Sequence, residues 1–203
     1  STVEERVALL ERILAVYKSR AEEFIKIMPL EMGTTISLSG EMHVPMGIGH
    51  IEAAIEALQN HTFVRPSLRG GSTLVDEPVG IVGMITPWNW PVNQIMIKVV
   101  PALAAGCTMV LKPSAYSPLS SIMLAEVFDE AGCPPGVFNL INGDGACVGE
   151  AITNHPDIHM ISFTGSTRAG KAITKSAADT IKRVTLELGG KSPNLLFADA
   201  NLE

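Results

Sequence analysis

From Val79 onward, apolar runs alternate with helical stretches, and this constrains the fold more than any other feature of the sequence. The runs are Val79–Ile85, Thr108–Leu111, Val137–Ile141, Met160–Phe163 and Val184–Leu188. Each is short, largely aliphatic and bounded by Gly, Pro or polar residues, as buried strands are. Between them lie helical patterns at Val92–Ala105 behind Pro91, Ser120–Ala131 behind Pro118, Val148–Thr153 and Thr167–Ala178. Strand and helix in alternation build βαβ units, hence an α/β fold whose parallel sheet carries helices on both faces.

The residues before Val79 read differently. Val7, Leu10, Leu14, Tyr17, Ala21, Phe24 and Met28 step by three or four and predict one amphipathic helix. Thr2 with Glu5 reads as a capping box at its start, and Pro29 with Gly33 as its end. A second helix is expected after Gly49, with Ile51, Ala54, Ile55 and Leu58 on one face. Then "NHTFVRPSLRGGSTLV" sets short β-prone runs around Gly70-Gly71, a hairpin signal. Pro66 demotes the first run to an exposed edge. Such a hairpin pairs with another subunit or lies as a surface loop; both readings stand. A last run, Asn194–Phe197, opens an element that is not completed.

Composition narrows the partners. Hydrophobic residues make up 46% of the 203, enough for a sizeable core, and the net charge is −6. That charge gives no electrostatic case for nucleic acid or an anionic membrane. The longest apolar region, Ile95–Leu111, is broken by Lys98, Pro101 and Gly106 and is too short to span a bilayer. The acidic, helical opening "STVEERVALL" does not resemble a secretory leader. Cys107, Cys133 and Cys147 lack the spacing of a zinc site, so no metal is expected, and an odd number suits a reducing, cytoplasmic setting.

Parallel sheets bind ligands at the carboxyl ends of their strands, and the polar residues here collect at those places. The five strand ends read "TPWNWP", "KPSAYSP", "NGDGACVG", "TGSTRAG" and "ELGGK". Asn89, between Trp88 and Trp90 and fenced by Pro87 and Pro91, carries an amide that donates at every pH. It suits an oxyanion hole, or equally the cap of the following helix. Lys112 can bind ribose or phosphate, or be merely solvated. The glycine-bearing turns Gly143–Gly149 and Gly165–Gly170 enter helices whose free amides favour a pyrophosphate, with Ser166 adding a hydroxyl. Neither is a G-x-G-x-x-G fingerprint, and tight turns account for each alone. Glu187, between an apolar strand and two glycines, suits a general base or an ion pair with Lys182 or Lys191.

Taken in order, "PWNWP", "GCTMVLKPS", "PPGVFNLINGDG", "FTGSTRAG" and "VTLELGGKSPN" resemble the aldehyde dehydrogenase superfamily, from the first helix to the last residue. The resemblance implies a Rossmann-like sheet with N-terminal helices, an oligomerisation-type hairpin and the start of a second α/β catalytic domain. The corresponding boundaries are 1–61, 62–76, 77–188 and 189–203. It implies that Asn89 donates to the oxygen of a thiohemiacetal and that Glu187 activates water against the thioester. Lys98 is similar to a lysine assigned to proton relay. Ile85, Thr86, Pro87 and Trp88 would line the cofactor cleft, while Trp90, Asn93, Gln94 and Ile97 would face the substrate entrance. Lys112 would reach the adenosine ribose and Ser166 the pyrophosphate. Ser114, Ala115, Gly145, Gly149, Phe163, Gly165 and Leu188 would complete the dinucleotide site. The implied cofactor is NAD, the substrate a small-molecule aldehyde, and the assembly a dimer or tetramer.

Two departures stand out. The family usually places a glutamate three residues beyond the lysine to hold both ribose hydroxyls; Ala115 occupies that position, which opens NADP use as well. The family's nucleophilic cysteine follows the glutamate by some tens of residues, beyond Glu203, and none of the three cysteines here has its setting. The resemblance therefore implies a fragment that is inactive alone. A dinucleotide-binding module or inactive homologue with a structural role is the rival reading. A CoA-acylating relative is a third, and Glu187 counts against it.

Overall fold

The chain starts as the capping box dictates. In the computed structural model, which describes residues 1–201, α1 (Val3–Ser19) opens with reciprocal bonds between Thr2 and Glu5. Thr2 Oγ1 accepts from the Glu5 amide at 3.2 Å, and Glu5 Oε2 accepts from the Thr2 amide at 2.8 Å. The single helix expected here is two. Arg20 leaves helical geometry (φ −99°, ψ 9°) and α2 (Ala21–Met32) restarts behind it. Pro29 does not stop α2 but lies inside its last turn, and left-handed Gly33 (φ 78°) ends it.

The second helix also differs from expectation. α3 (Ile36–Leu38) passes through a π-helical turn (Ser39–His43) straight into α4 (Val44–Asn60), so the helix begins before Gly49. Pro45, in the first turn of α4, has no N–H to donate back to the π-helical turn. Gly47 is inside α4 because α1 leaves no room for more: a Cβ would lie 2.6 Å from Tyr17 Oη. Tyr17 is fully buried and its hydroxyl donates to Val44 O at 3.2 Å.

β1 (Val64–Pro66) and β2 (Thr73–Val75) form the expected antiparallel hairpin as a separate sheet. Gly70 and Gly71 turn it with φ of 70° and 73°. Val64, Leu68, Leu74 and Val75 are all exposed on it.

The five apolar runs form one parallel sheet: β3 (Ile81–Ile85), β4 (Thr108–Lys112), β5 (Phe138–Leu140), β6 (Met160–Thr164) and β7 (Arg183–Glu187). The order is β5-β4-β3-β6-β7. The chain builds outward from β3 to β5, then crosses back to β6, so the winding reverses between β3 and β6, where such sheets open a crevice. α5 (Pro91–Ala104), α6 (Leu119–Glu130), α7 (Glu150–Asn154) and α8 (Thr167–Ala178) make the connections. Val82, Met84, Met109 and Leu111 share a core with α1, α2, α4, α5 and α6. The alternate residues Ile85, Val110, Ile161, Phe163 and Leu186 pack with α7 and α8 through Ile152, Ala169 and Ile173. Period-two alternation thus gives the sheet two buried faces with different coverings. Asn194–Phe197 forms no regular element and is exposed. Among the described residues no helix is long and apolar enough to cross a membrane.

Candidate active site

Strand register brings the site together. Ile85 pairs with Lys112 on one side and Phe163 on the other, and Thr164 pairs with Glu187. The carboxyl ends of β3, β4, β6 and β7 are therefore level, and the loops leaving them rise from one edge. Side-chain alternation then sorts the candidate residues between the two faces.

On the α5 face stand Lys98 and Glu187, and Asn89 lies in the loop that leads from β3 into α5. β3 leaves the sheet through Thr86, whose amide still donates to Lys112 O at 3.2 Å. The chain reaches α5 through Trp90, held at φ 58° and ψ 50°. Trp90, not Asn89, is the N-cap, so the capping role weighed for Asn89 falls away. Asn89 is exposed, and its side chain has no hydrogen bond among the described residues. Two turns into α5, Lys98 Nζ donates to Ser162 Oγ at 3.2 Å. Ser162 and Thr164 alternate along β6, and their register partners Thr185 and Glu187 stand beside them on β7. All four therefore face α5. Burial pushes the Lys98 ammonium below the ordinary lysine range, and the Glu187 carboxylate opposes that shift. Glu187 itself is exposed. It does not pair with Lys182, whose ammonium donates to His155 O at 2.7 Å and Ile158 O at 3.0 Å.

The cofactor candidates gather on the opposite face. Lys112 is buried, and its ammonium donates to Pro113 O at 2.7 Å. Burial lowers its pKa, and the Asp144 carboxylate pulls it back. Asp144 caps the π-helical turn Gly145–Gly149, accepting from the Cys147 amide at 2.7 Å. Gly145 is open, with no atom within 4 Å of where a Cβ would be, whereas a Cβ at Gly149 would lie 3.8 Å from Ile85 Cδ1. At Gly165 a Cβ would meet the Phe163 ring at 2.5 Å, and at Gly170 one would meet Leu188 at 2.6 Å. These glycines admit the rings and methyls beneath the α8 N-terminus. Ser166 is the α8 N-cap, accepting from the Ala169 amide at 3.2 Å, which leaves its hydroxyl proton to donate outward. Ser114 Oγ accepts from the Tyr116 amide at 3.2 Å, so it secures its own loop. Ala115 is exposed beside it. Ile85 and Thr86 are buried, Pro87 is partly covered and Trp88 is 51% exposed.

Two of the residues expected at the substrate entrance touch the helical run through α4. The Trp90 ring stacks on His43 at 4.1 Å, and Asn93 Oδ1 lies 2.7 Å from His50 Nε2. Ile97, 49% exposed, remains open to solvent. Sequence reasoning missed Ser162 and His43. The alternation within "MISFT" marks Ser162; nothing in the local sequence marks His43.

A parallel sheet wound in this order, with polar loops along one carboxyl edge, defines a Rossmann-like α/β protein. Comparison with known proteins is more specific. The chain belongs to the aldehyde dehydrogenase family, whose model ("Aldehyde dehydrogenase family") matches residues 1–203. It is 51% identical over 201 residues to a 3-succinoylsemialdehyde-pyridine dehydrogenase of a Pseudomonas species, covering 98% of this chain and 42% of that protein. It is similar in fold to an aldehyde dehydrogenase from Bartonella henselae, with TM-score 0.93 and 50% identity over all of this chain and 43% of that one. A mutant aldehyde dehydrogenase C from Pseudomonas syringae, solved with NAD+ and octanal, matches with TM-score 0.92 and 49% identity, over 99% of this chain and 41% of that one. The chain thus spans about 42% of the length of the curated relatives it matches.

Proposed function

We propose that these residues serve NAD(P)-dependent oxidation of an aldehyde to a carboxylic acid through a thioester on a cysteine outside the 203. The observation that carries this reading is the division of one sheet edge between two sets of side chains. Lys98 and Glu187 lie on the α5 face, with Asn89 in the loop entering α5, and Lys112, the Gly145 turn and Ser166 lie on the other.

The second set fits a dinucleotide. Lys112 offers an ammonium with one protein acceptor, the open Gly145 turn admits a close backbone approach, and Ser166 adds a hydroxyl donor at a helix N-terminus. Ile85, Thr86, Pro87, Trp88, Ser114, Ala115, Gly149, Phe163, Gly165 and Leu188 would border it. The bound nicotinamide supplies the hydride acceptor. NAD is the cofactor this reading favours; Ala115 leaves room beside the ribose for the 2′-phosphate of NADP.

The first set does the chemistry. When the thiolate adds to the aldehyde carbonyl, the developing alkoxide needs a hydrogen-bond donor that does not ionise. The Asn89 amide supplies it. Glu187 accepts a proton from water attacking the thioester, and Lys98 sits behind it as a charge that steadies the carboxylate. On this reading residues 1–61 are the helical part of the cofactor domain, 62–76 a hairpin for a neighbouring subunit, 77–188 the dinucleotide-binding core and 189–203 the start of a catalytic domain.

Rapid-mix kinetics on the full-length protein test the assignment. Glu187→Gln should leave most of the first-turnover NADH burst while the steady-state rate falls. Asn89→Ala should lower kcat by about a hundredfold or more. Equal loss of burst and steady state in Glu187→Gln would remove the role given to Glu187. The 203 residues alone should form no NADH from an aldehyde; turnover by them would overturn the placement of the nucleophile. A binding module without turnover is the alternative, and an inactive full-length protein that still binds NAD would establish it.

A further inference from the structure

His43 is fully buried, yet neither ring nitrogen has a hydrogen-bond partner among the described residues. Buried polar atoms are normally paired, so the position needs a reason. The ring stacks on Trp90, with centroids 4.1 Å apart and planes 21° from parallel. Trp90 holds φ 58°, a left-handed conformation that bulky residues seldom adopt and that persists only where surroundings enforce it. It also shares a peptide unit with Asn89.

A second contact reinforces the first. His50, seven residues beyond His43 on the continuous helical run, meets Asn93 at 2.7 Å. Positions seven apart fall on nearly one face of a helix, and here that face is turned to the start of α5. The π-helical turn at Ser39–His43 shifts the helical phase where His43 enters, as such turns do at functional sites. Burial also pushes the His43 pKa down, so at neutral pH the ring is an uncharged flat surface.

We propose that His43 is a positioning residue for Asn89: its ring clamps Trp90 in the left-handed conformation that presents the Asn89 amide at the carboxyl edge of the sheet. The catalytic consequence rests on reading Asn89 as the oxyanion donor, but the clamp itself does not.

The two tryptophans of the chain flank Asn89, which supplies a direct probe. In a Trp88→Phe background Trp90 is the sole indole of these 203 residues, and its acrylamide quenching reports the stack. His43→Phe keeps a flat apolar ring and should keep Trp90 protected, with the Asn89 side-chain amide resonances in place. His43→Ala should raise the quenching and move those resonances. Unchanged quenching and resonances in a folded His43→Ala protein overturn the proposal. Should His43→Ala lower stability too far, Trp90→Gly decides, because glycine adopts the left-handed conformation without help. The His43→Ala penalty should then largely vanish in the Trp90→Gly background; an equal penalty in both backgrounds sinks the clamp. Full activity of Asn89→Ala in the full-length protein would remove the oxyanion role while leaving the clamp intact.

Discussion

Lys98 Nζ donates to Ser162 Oγ at 3.2 Å, a bond that ties the helix after β3 to the neighbouring strand β6. It fixes a cation beside Glu187 on the neighbouring strand, and the two side chains attract. A helix residue and a strand residue 64 positions apart thus define the chemical face of the sheet.

The Lys98 ammonium carries a pH signature. Its folded pKa lies below the unfolded lysine value of about 10.4, because burial outweighs the pull of Glu187. Between the two values the unfolded chain binds more proton, so stability rises with pH there, and the cost of Lys98 is full below the folded value. Lys98→Met should therefore raise the urea midpoint at pH 7, and its advantage should shrink as pH climbs towards 10. An advantage that stays constant over that range contradicts this account.

Ala115 makes a specificity prediction. Ala115→Glu would place a carboxylate on the exposed loop beside Lys112, where it accepts from ribose hydroxyls and repels a 2′-phosphate. In the full-length protein the ratio of kcat/KM for NAD over NADP should rise by about tenfold, the equivalent of one good hydrogen bond to a charged group. A ratio that does not change places the ribose elsewhere.

Glu31 holds a helix start from a distance. Its Oε2 accepts from the Leu119 amide at 2.6 Å and the Ser120 amide at 3.2 Å, which caps α6 where Pro118 offers no side-chain cap. Glu31→Ala should cost about 1–2 kcal/mol by chemical denaturation, in the range of lost helix caps. Glu31→Gln, which keeps an acceptor, should cost less.

Gly83 tests the second core. A Cβ there would lie 2.5 Å from Ile152 Cγ2 and 2.9 Å from Ile161 Cδ1. Gly83→Ala should destabilise by about 1–3 kcal/mol through overpacking. Ile152→Ala should cost less in the Gly83→Ala background than alone, because the two changes share one space; additive losses would show that the sheet shifts instead.

Much of this protein follows from local rules acting on the chain. The apolar runs became the five strands, shifted by one to two residues at most ends, because burial on both faces needs an uninterrupted aliphatic stretch. Thr2 and Glu5 capped α1, Gly70-Gly71 turned the hairpin, and Thr167–Ala178 formed the helix its spacing predicts. Where packing outranks local preference, tertiary structure decided. Gly47 is a poor helix former, yet it lies inside α4 because Tyr17 fills the space a side chain would need there. Asn89 could have capped α5 on local grounds; the conformation of Trp90, stacked on a histidine 47 residues earlier, moved the cap by one position. Register decides that Ser162 and Glu187 share the face that Lys98 meets. A one-residue slip of β7 would turn Glu187 to the other face, and pairing between distant strands is not written in either strand by itself.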